Sequence, residues 1–306
     1  MRARLAASLR TLAEAASGLI ACDAAAIGAL ADLVAARPVR PAVMARYAEA
    51  MLAIGAGDAA TAEAALAALA DPALRTPALP RTVTLDDDDL GPGVAALYTR
   101  LLNDDPDSPV AIRALDAAER DAAPSRIAAA LALLGPDFAG ELASVAQEVV
   151  AVAAAPGGAL HFQGATSFHL WGAIALNLPA HPTDAALAVT LAHESGHAVL
   201  FAQSFGAPLT ANDPASRYAS PLRETPRPME GIVHATWVLA RMHLAIERML
   251  AGGAADAAAR EALRAMRGDI RRDYAAGLAV VDAAARFTPE GEAAFAPAAA
   301  YMATAA

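Results

Sequence analysis

The chain has 306 residues, including 90 alanines, 23 arginines and no lysine, so alanine supplies about half of the 57% counted as hydrophobic. A net charge of −10 and an isoelectric point near 5.1 exclude a protein built to grip nucleic acid or an anionic membrane, because such binding needs a basic face that displaces counterions. The length suffices for a large core without disulfides, and the single cysteine, Cys22, can form no internal bridge or Cys-x-x-Cys pair, which suits a reducing, cytoplasmic setting.

The first 26 residues begin like a signal peptide, but Arg10, Glu14 and Asp23 interrupt the apolar core such a segment needs, so an amphipathic helix is expected. Apolar residues recur at helical spacing to about residue 70, and residues 44–72 read as two helices joined at Gly55 to Asp58, a single tetratricopeptide-like hairpin. Residues 71–92 combine four prolines with the run Asp86 to Asp89 and read as an acidic loop closing a first helical region, 1–92. Helical patterns resume at 93–104, 108–135 and Leu142 to Val152. The texture then changes: LHFQGATSFHLWGAIALNLP (160–179), introduced by Gly157 and Gly158, is the best strand candidate. Helices are expected from Thr183 or Asp184 to about Ser204, from Met229 to Leu250 and over Ala254 to Arg286, with a short one at the end. The fold expected is mainly α: a helical N-terminal region followed by a domain over 93–306 with one small β-sheet near 160–178. The mean hydropathy of +0.36 does not imply a membrane span, since the longest uncharged stretch, Val149 to Thr183, is broken by Pro156, Gly157, Gly158, Gln163, Asn177 and three histidines.

All seven histidines (161, 169, 181, 193, 197, 234, 243) and both tryptophans (171, 237) fall between residues 161 and 243, which marks this window as the chemical half. Within TLAHESGHAVL (190–200), His193, Glu194 and His197 form H-E-x-x-H. At 3.6 residues per turn, histidines four apart leave one face of a helix and can bind one metal ion, while Glu194 can reach a metal-bound water or a second-shell hydrogen bond. A third ligand must come from elsewhere, and the H-E-x-x-H-x-x-G-x-x-H extension is absent. Downstream candidates are Glu224, Glu230, His234, His243 and Glu247. His234 is favoured because it lies on an otherwise apolar stripe where an unpaired imidazole would be costly, with Glu230 and Glu224 as the alternatives.

Taken together, GAIALN (172–177), TLAHESGHAVL, YASPLRETPRPMEGIVHATWVLARM (218–242) and FTPEGEAAF (287–295) resemble the HEXXH-motif family of peptide-modification proteins associated with ribosomally synthesised peptide natural products. The resemblance covers roughly the C-terminal half. It implies an iron(II) enzyme that uses 2-oxoglutarate and O₂ to hydroxylate β-carbons of a precursor peptide, with His193, His197 and His234 as iron ligands. It also gives Arg223 and Arg227 a purpose, since a guanidinium can hold the distal carboxylate of 2-oxoglutarate through two parallel hydrogen bonds. Three neutral histidines would leave more positive charge on the metal than the usual two histidines and a carboxylate, a charge that a dianionic co-substrate offsets.

The competing readings are a zinc metallopeptidase or other hydrolase, in which Glu194 is the general base, and a catalytically silent peptide-binding scaffold. In the oxygenase, Glu194 can only tune, orient or seal the site. Trp171 and Trp237 read as core or pocket wall, His161 and His169 as structural residues near the strand, and the arginines between Arg260 and Arg272 as a solvated helix face.

Overall fold

The computed structural model describes residues 1–305 apart from 17, 19, 77, 104–109 and 156–161, so His161 and part of the expected strand lie outside the described residues. The protein is mainly α, as the alanine-rich helical spacing leads one to expect: the described residues form twelve helices and a mixed sheet of five short strands. They divide into two compact units, residues 1–121 with 143–180, and residues 122–142 with 181–306. The acidic loop expected to end a first region at residue 92 falls inside the first unit.

The first unit opens with α1 (Arg2–Ala16), α2 (Ala24–Ala36), α3 (Pro41–Ala56) and α4 (Ala59–Leu69), packed as two hairpins. The turn expected after residue 55 is there: Gly57 (φ +73°) ends α3 in the left-handed region that favours glycine, and the Asp58 carboxylate caps α4 by accepting the Thr61 N–H at 3.0 Å. Then come β1 (Arg81–Thr84), α5 (Asp87–Leu90), α6 (Val94–Leu101) and β2 (Ile112–Arg113). After α7 (Ala117–Leu134) and α8 (Pro136–Val145), which lie largely in the second unit, the sheet is completed by β3 (Glu148–Ala154), β4 (Gly164–Ala165) and β5 (Ala173–Asn177). Strands β1, β3 and β5 run parallel in that order, with β4 antiparallel on β5 and β2 antiparallel on the far end of β3.

Two expectations need correction here. The helix expected over Leu142 to Val152 stops at Val145, and the rest is β3, the centre of the sheet. A parallel strand covered on both faces reads as a continuous apolar run, and Glu148 to Ala153 is buried throughout, so no alternation betrays it; the β-branched Val149, Val150 and Val152 were the available signal. The acidic loop, likewise, is ordered around β1 and a helical turn. Asp86 caps that turn, Asp87 accepts from the Gly93 and Ala95 N–H groups, and Asp89 accepts from the N–H and hydroxyl of Thr84.

The second unit is built on α9 (Asp184–Ser204), against which α10 (Met229–Ala251), α11 (Ala257–Ala284) and α12 (Pro289–Thr304) pack. Its core joins Leu200 of α9 to Trp237 and Val238 of α10, Val281 of α11 and Phe295 of α12, and the Trp237 indole N–H donates to the Ala294 carbonyl at 2.9 Å. Among the described residues α9 is the one helix that by itself is long and apolar enough to cross a membrane; α7 and α8 pass only together and are bent by 118°. The most apolar window of α9 is 67% buried by the protein itself, which is how a central helix behaves.

What pins the first unit's sheet to its helices is a buried carboxylate at the start of β3. Glu148, 1% exposed, accepts from Arg81 at 2.7 Å and the Tyr98 hydroxyl at 2.8 Å, with Arg40 at 3.4 Å. Burial, then the Glu148 charge, pushes the Tyr98 hydroxyl well above its usual range, so it stays a donor. Glu148→Ala removes the one carboxylate shared by two guanidinium groups and leaves a buried phenol without its acceptor; it is expected to cost about 3 kcal/mol, with Glu148→Gln costing less. Urea denaturation of the two variants beside the unaltered protein checks this ordering.

Candidate metal centre

Helix α9 owes its position to its ends. The Thr183 hydroxyl accepts the Ala186 N–H at 3.1 Å, and Asp184 places a negative charge at the N-terminus, as the sequence suggested. At the other end Phe205 (φ 51°) and Gly206 (φ 72°) adopt left-handed conformations that turn the chain into the 207–228 loop. Between these ends Leu187 to Leu191 and Ala198 to Leu200 bury most of the helix, which carries the H-E-x-x-H residues across its middle. Glu194 is 5% exposed, and the two histidines are half-buried.

The imidazoles of His193 and His197 converge, with Nε2 to Nε2 at 3.2 Å and ring centroids 4.9 Å apart. Two nitrogens bound at about 2.0–2.1 Å to a tetrahedral ion are about 3.3–3.4 Å apart, and closer at a right angle, so the pair sits at the spacing one ion requires. The Nδ1 of His193 lies 3.2 Å from the sulfur of Met242 on α10. A thioether has no hydrogen to give, so His193 donates there and keeps its Nε2 lone pair turned toward His197.

Helix α10 also brings His234 alongside. Its ring stacks on that of His197 at 6.1 Å with an interplanar angle of 26°, and Phe201 closes the group, 6.3 Å from His197 and 5.7 Å from His234. The contacts His193 to Met242 and His197 to His234 show α9 and α10 passing in opposite senses. Among the described residues no three His, Cys, Asp or Glu side chains are grouped so as to close around an ion: the convergence is of two, with His234 adjacent.

Electrostatics favours neutral rings. Burial, then the charge of Arg223, lowers His193 to about 4; burial, then His193 and His234, holds His197 well below the usual range. At neutral pH both rings have lone pairs available, the state in which imidazole binds metal.

The other candidates are placed as follows. Arg223 is exposed on the loop between Tyr218 and Arg227, whose backbones pair at 2.8 and 2.9 Å, and it is near enough for its charge to reach His193. Arg227, half-buried, forms the base of that loop, and Glu224 is exposed on it. Glu230 is one turn before His234, its Oε1 3.6 Å from His234 Nε2. His243 is nine residues beyond His234, on the opposite face of α10, with Nδ1 2.9 Å from the Tyr301 hydroxyl; Glu247 pairs with Arg267 at 2.9 Å. His181 is 2.8 Å from the Thr190 hydroxyl, and His169 lies in the other unit. Met242 and Phe201 were not anticipated. Met242 is two turns beyond His234 and Phe201 one turn beyond His197, so helical spacing from the named histidines was the available signal.

No family model matches the chain, and no curated protein matches it either. The lowered histidines make a prediction about the metal-free protein. As pH falls below about 6.5 the unfolded chain takes up a proton that folded His193 refuses until about 4, so its contribution, at most about 3 kcal/mol, is present above pH 6.5 and lost on descending to pH 4. The urea midpoint of chelator-treated His193→Gln should therefore fall less steeply across this window than that of the unaltered protein; equal slopes would contradict the assignment.

Proposed function

We propose that the protein is an iron(II)- and 2-oxoglutarate-dependent oxygenase that hydroxylates a side-chain β-carbon of a ribosomally made precursor peptide in the cytoplasm. The observation that carries this reading is the convergence of the His193 and His197 Nε2 atoms at 3.2 Å, with His234 stacked beside them and the charge of Arg223 felt at His193. The resemblance of the H-E-x-x-H helix, the S-P-x-R loop and the G-x-x-H element to the peptide-modification family supplies the choice of iron and of a peptide substrate.

On this reading His193, His197 and His234 hold the iron, and Met242 keeps His193 in the tautomer that presents Nε2. Arg223 and Arg227 bind the distal carboxylate of 2-oxoglutarate. Phe201 shields the two histidines it touches from water, and Glu194, buried beside the pair, orients the helix face and moves no proton. Iron, 2-oxoglutarate and O₂ together supply an oxidant able to take hydrogen from carbon; one oxygen atom enters the peptide as hydroxyl, the other enters succinate, and CO₂ leaves.

The test is direct. Anaerobic iron(II) protein should develop a weak visible charge-transfer band on adding 2-oxoglutarate, and with O₂ and peptide it should release succinate and add one oxygen atom to the peptide. Arg223→Ala is expected to weaken 2-oxoglutarate binding by about 1.5–3 kcal/mol while sparing iron, as read by titration of the band. Peptide cleavage by the zinc form without 2-oxoglutarate would instead establish the hydrolase reading, with Glu194 as general base.

A further inference from the structure

Glu230 is a rival to His234 for the third ligand position by sequence, yet its carboxylate is already engaged. The Leu209 N–H donates to Oε1 at 2.9 Å and to Oε2 at 3.1 Å, while the Thr210 N–H and hydroxyl donate to Oε2 at 3.0 and 3.1 Å. The remaining direction of Oε1 faces His234 Nε2 at 3.6 Å. A carboxylate offers about four lone-pair sites; two backbone amides and a hydroxyl occupy this one, and the direction left over is the one that faces the His234 ring.

The donors are themselves held from behind. Where α12 begins, the Thr288 N–H donates to the Leu209 carbonyl at 2.9 Å and the Thr288 hydroxyl to the Pro208 carbonyl at 2.8 Å. The Ala211 N–H donates to the Arg286 carbonyl at 2.6 Å, and Thr210 bridges Phe287. A Cβ at Gly291 would lie 1.9 Å from the Leu209 carbonyl oxygen, so a side chain there would push the loop off Glu230. The late F-T-P-E-G segment, which has no chemistry of its own, thus presses two backbone amides onto one carboxylate.

The structure assigns Glu230 as a positioning residue for His234, backed by the 286–291 segment, rather than as a metal ligand. This rests on reading His193, His197 and His234 as a metal centre. An imidazole that binds metal through one nitrogen must keep its proton on the other, and a fixed carboxylate facing that second nitrogen sets both tautomer and ring orientation. Through its single oxygen Gln at 230 could still accept from Leu209 and Thr210, but its NH2 would take the place of Oε1 and offer His234 a donor in place of an anion.

The experiment titrates cobalt(II) into the chelator-stripped full chain, reading the visible d–d band and competition with a chromophoric chelator. Glu230→Gln should bind cobalt about 10–100-fold more weakly than the unaltered protein, while its metal-free form still unfolds in one cooperative transition. His234→Ala should lose more, and the double variant should bind as His234→Ala does, because Glu230 acts through that ring; a purely structural role would give additive losses. Unchanged affinity in Glu230→Gln, additive losses, or a loss and altered band in Glu230→Gln as complete as in His193→Ala would each overturn the assignment, the last making Glu230 a ligand. Failure of the unaltered protein to bind cobalt, iron or zinc would remove the metal centre itself, and this inference with it.

Discussion

Two imidazole nitrogens 3.2 Å apart on a helix packed against three others cannot both carry a proton. At that distance two unit charges repel by about 5 kcal/mol even at an effective dielectric constant of 20, and burial adds to the penalty. The doubly protonated pair is therefore excluded, and burial keeps both rings neutral at neutral pH. With the His193 proton on Nδ1, facing the Met242 sulfur, the His193 Nε2 must accept, and the short contact between the rings is a hydrogen bond given by His197. The same contact holds two donors at the separation one ion needs, so the metal-free protein pays in advance for ordering them.

Much of the second unit follows from that constraint. A partner helix must approach closely enough to offer Met242 to one ring and His234 to the other, and the shared core of Leu200, Trp237, Val238, Val281 and Phe295 fixes the approach. Trp237 serves twice, filling the core and donating its indole N–H to the Ala294 carbonyl, which ties α12 to α10. From α12 the chain of contacts returns through Leu209 and Glu230 to His234. Segments more than fifty residues apart in sequence thus bear on one ring.

How much of this could be read beforehand depended on whether the signal was local. The H-E-x-x-H helix, its Thr183 cap and the long helix from Met229 were legible because cap, periodicity and motif all lie within one turn or one face. The central strand β3 was not: an alanine- and valine-rich run buried on both faces has no period, and alanine's helix preference decided wrongly. Asp87, Asp88 and Asp89 are exposed, as a solvated acidic run should be, but the order around them was hidden because their partners, Thr84, Gly93 and Ala95, are backbone groups or a hydroxyl that composition cannot reveal. In the site, histidines at helical spacing could be named from sequence. The state of Glu230 could not, since it depends on two backbone amides brought in by a proline-rich loop.

The engagement of Glu230 also bears on charge. With Glu230 taken up by Leu209 and Thr210, the nitrogens that converge are those of the neutral His193 and His197 rings, and the nearby loop adds the positive charge of Arg223. A divalent cation placed among such donors would keep nearly its full charge, which burial would magnify. Neutralising it falls to whatever arrives from solution. A water molecule deprotonated at the metal would supply one negative charge, whereas a chelating keto acid with a second carboxylate would supply two, one at the metal and one at the guanidinium. On the proposed reading the dianion would reach from the metal to Arg223, the exposed arginine whose charge already lowers the basicity of His193.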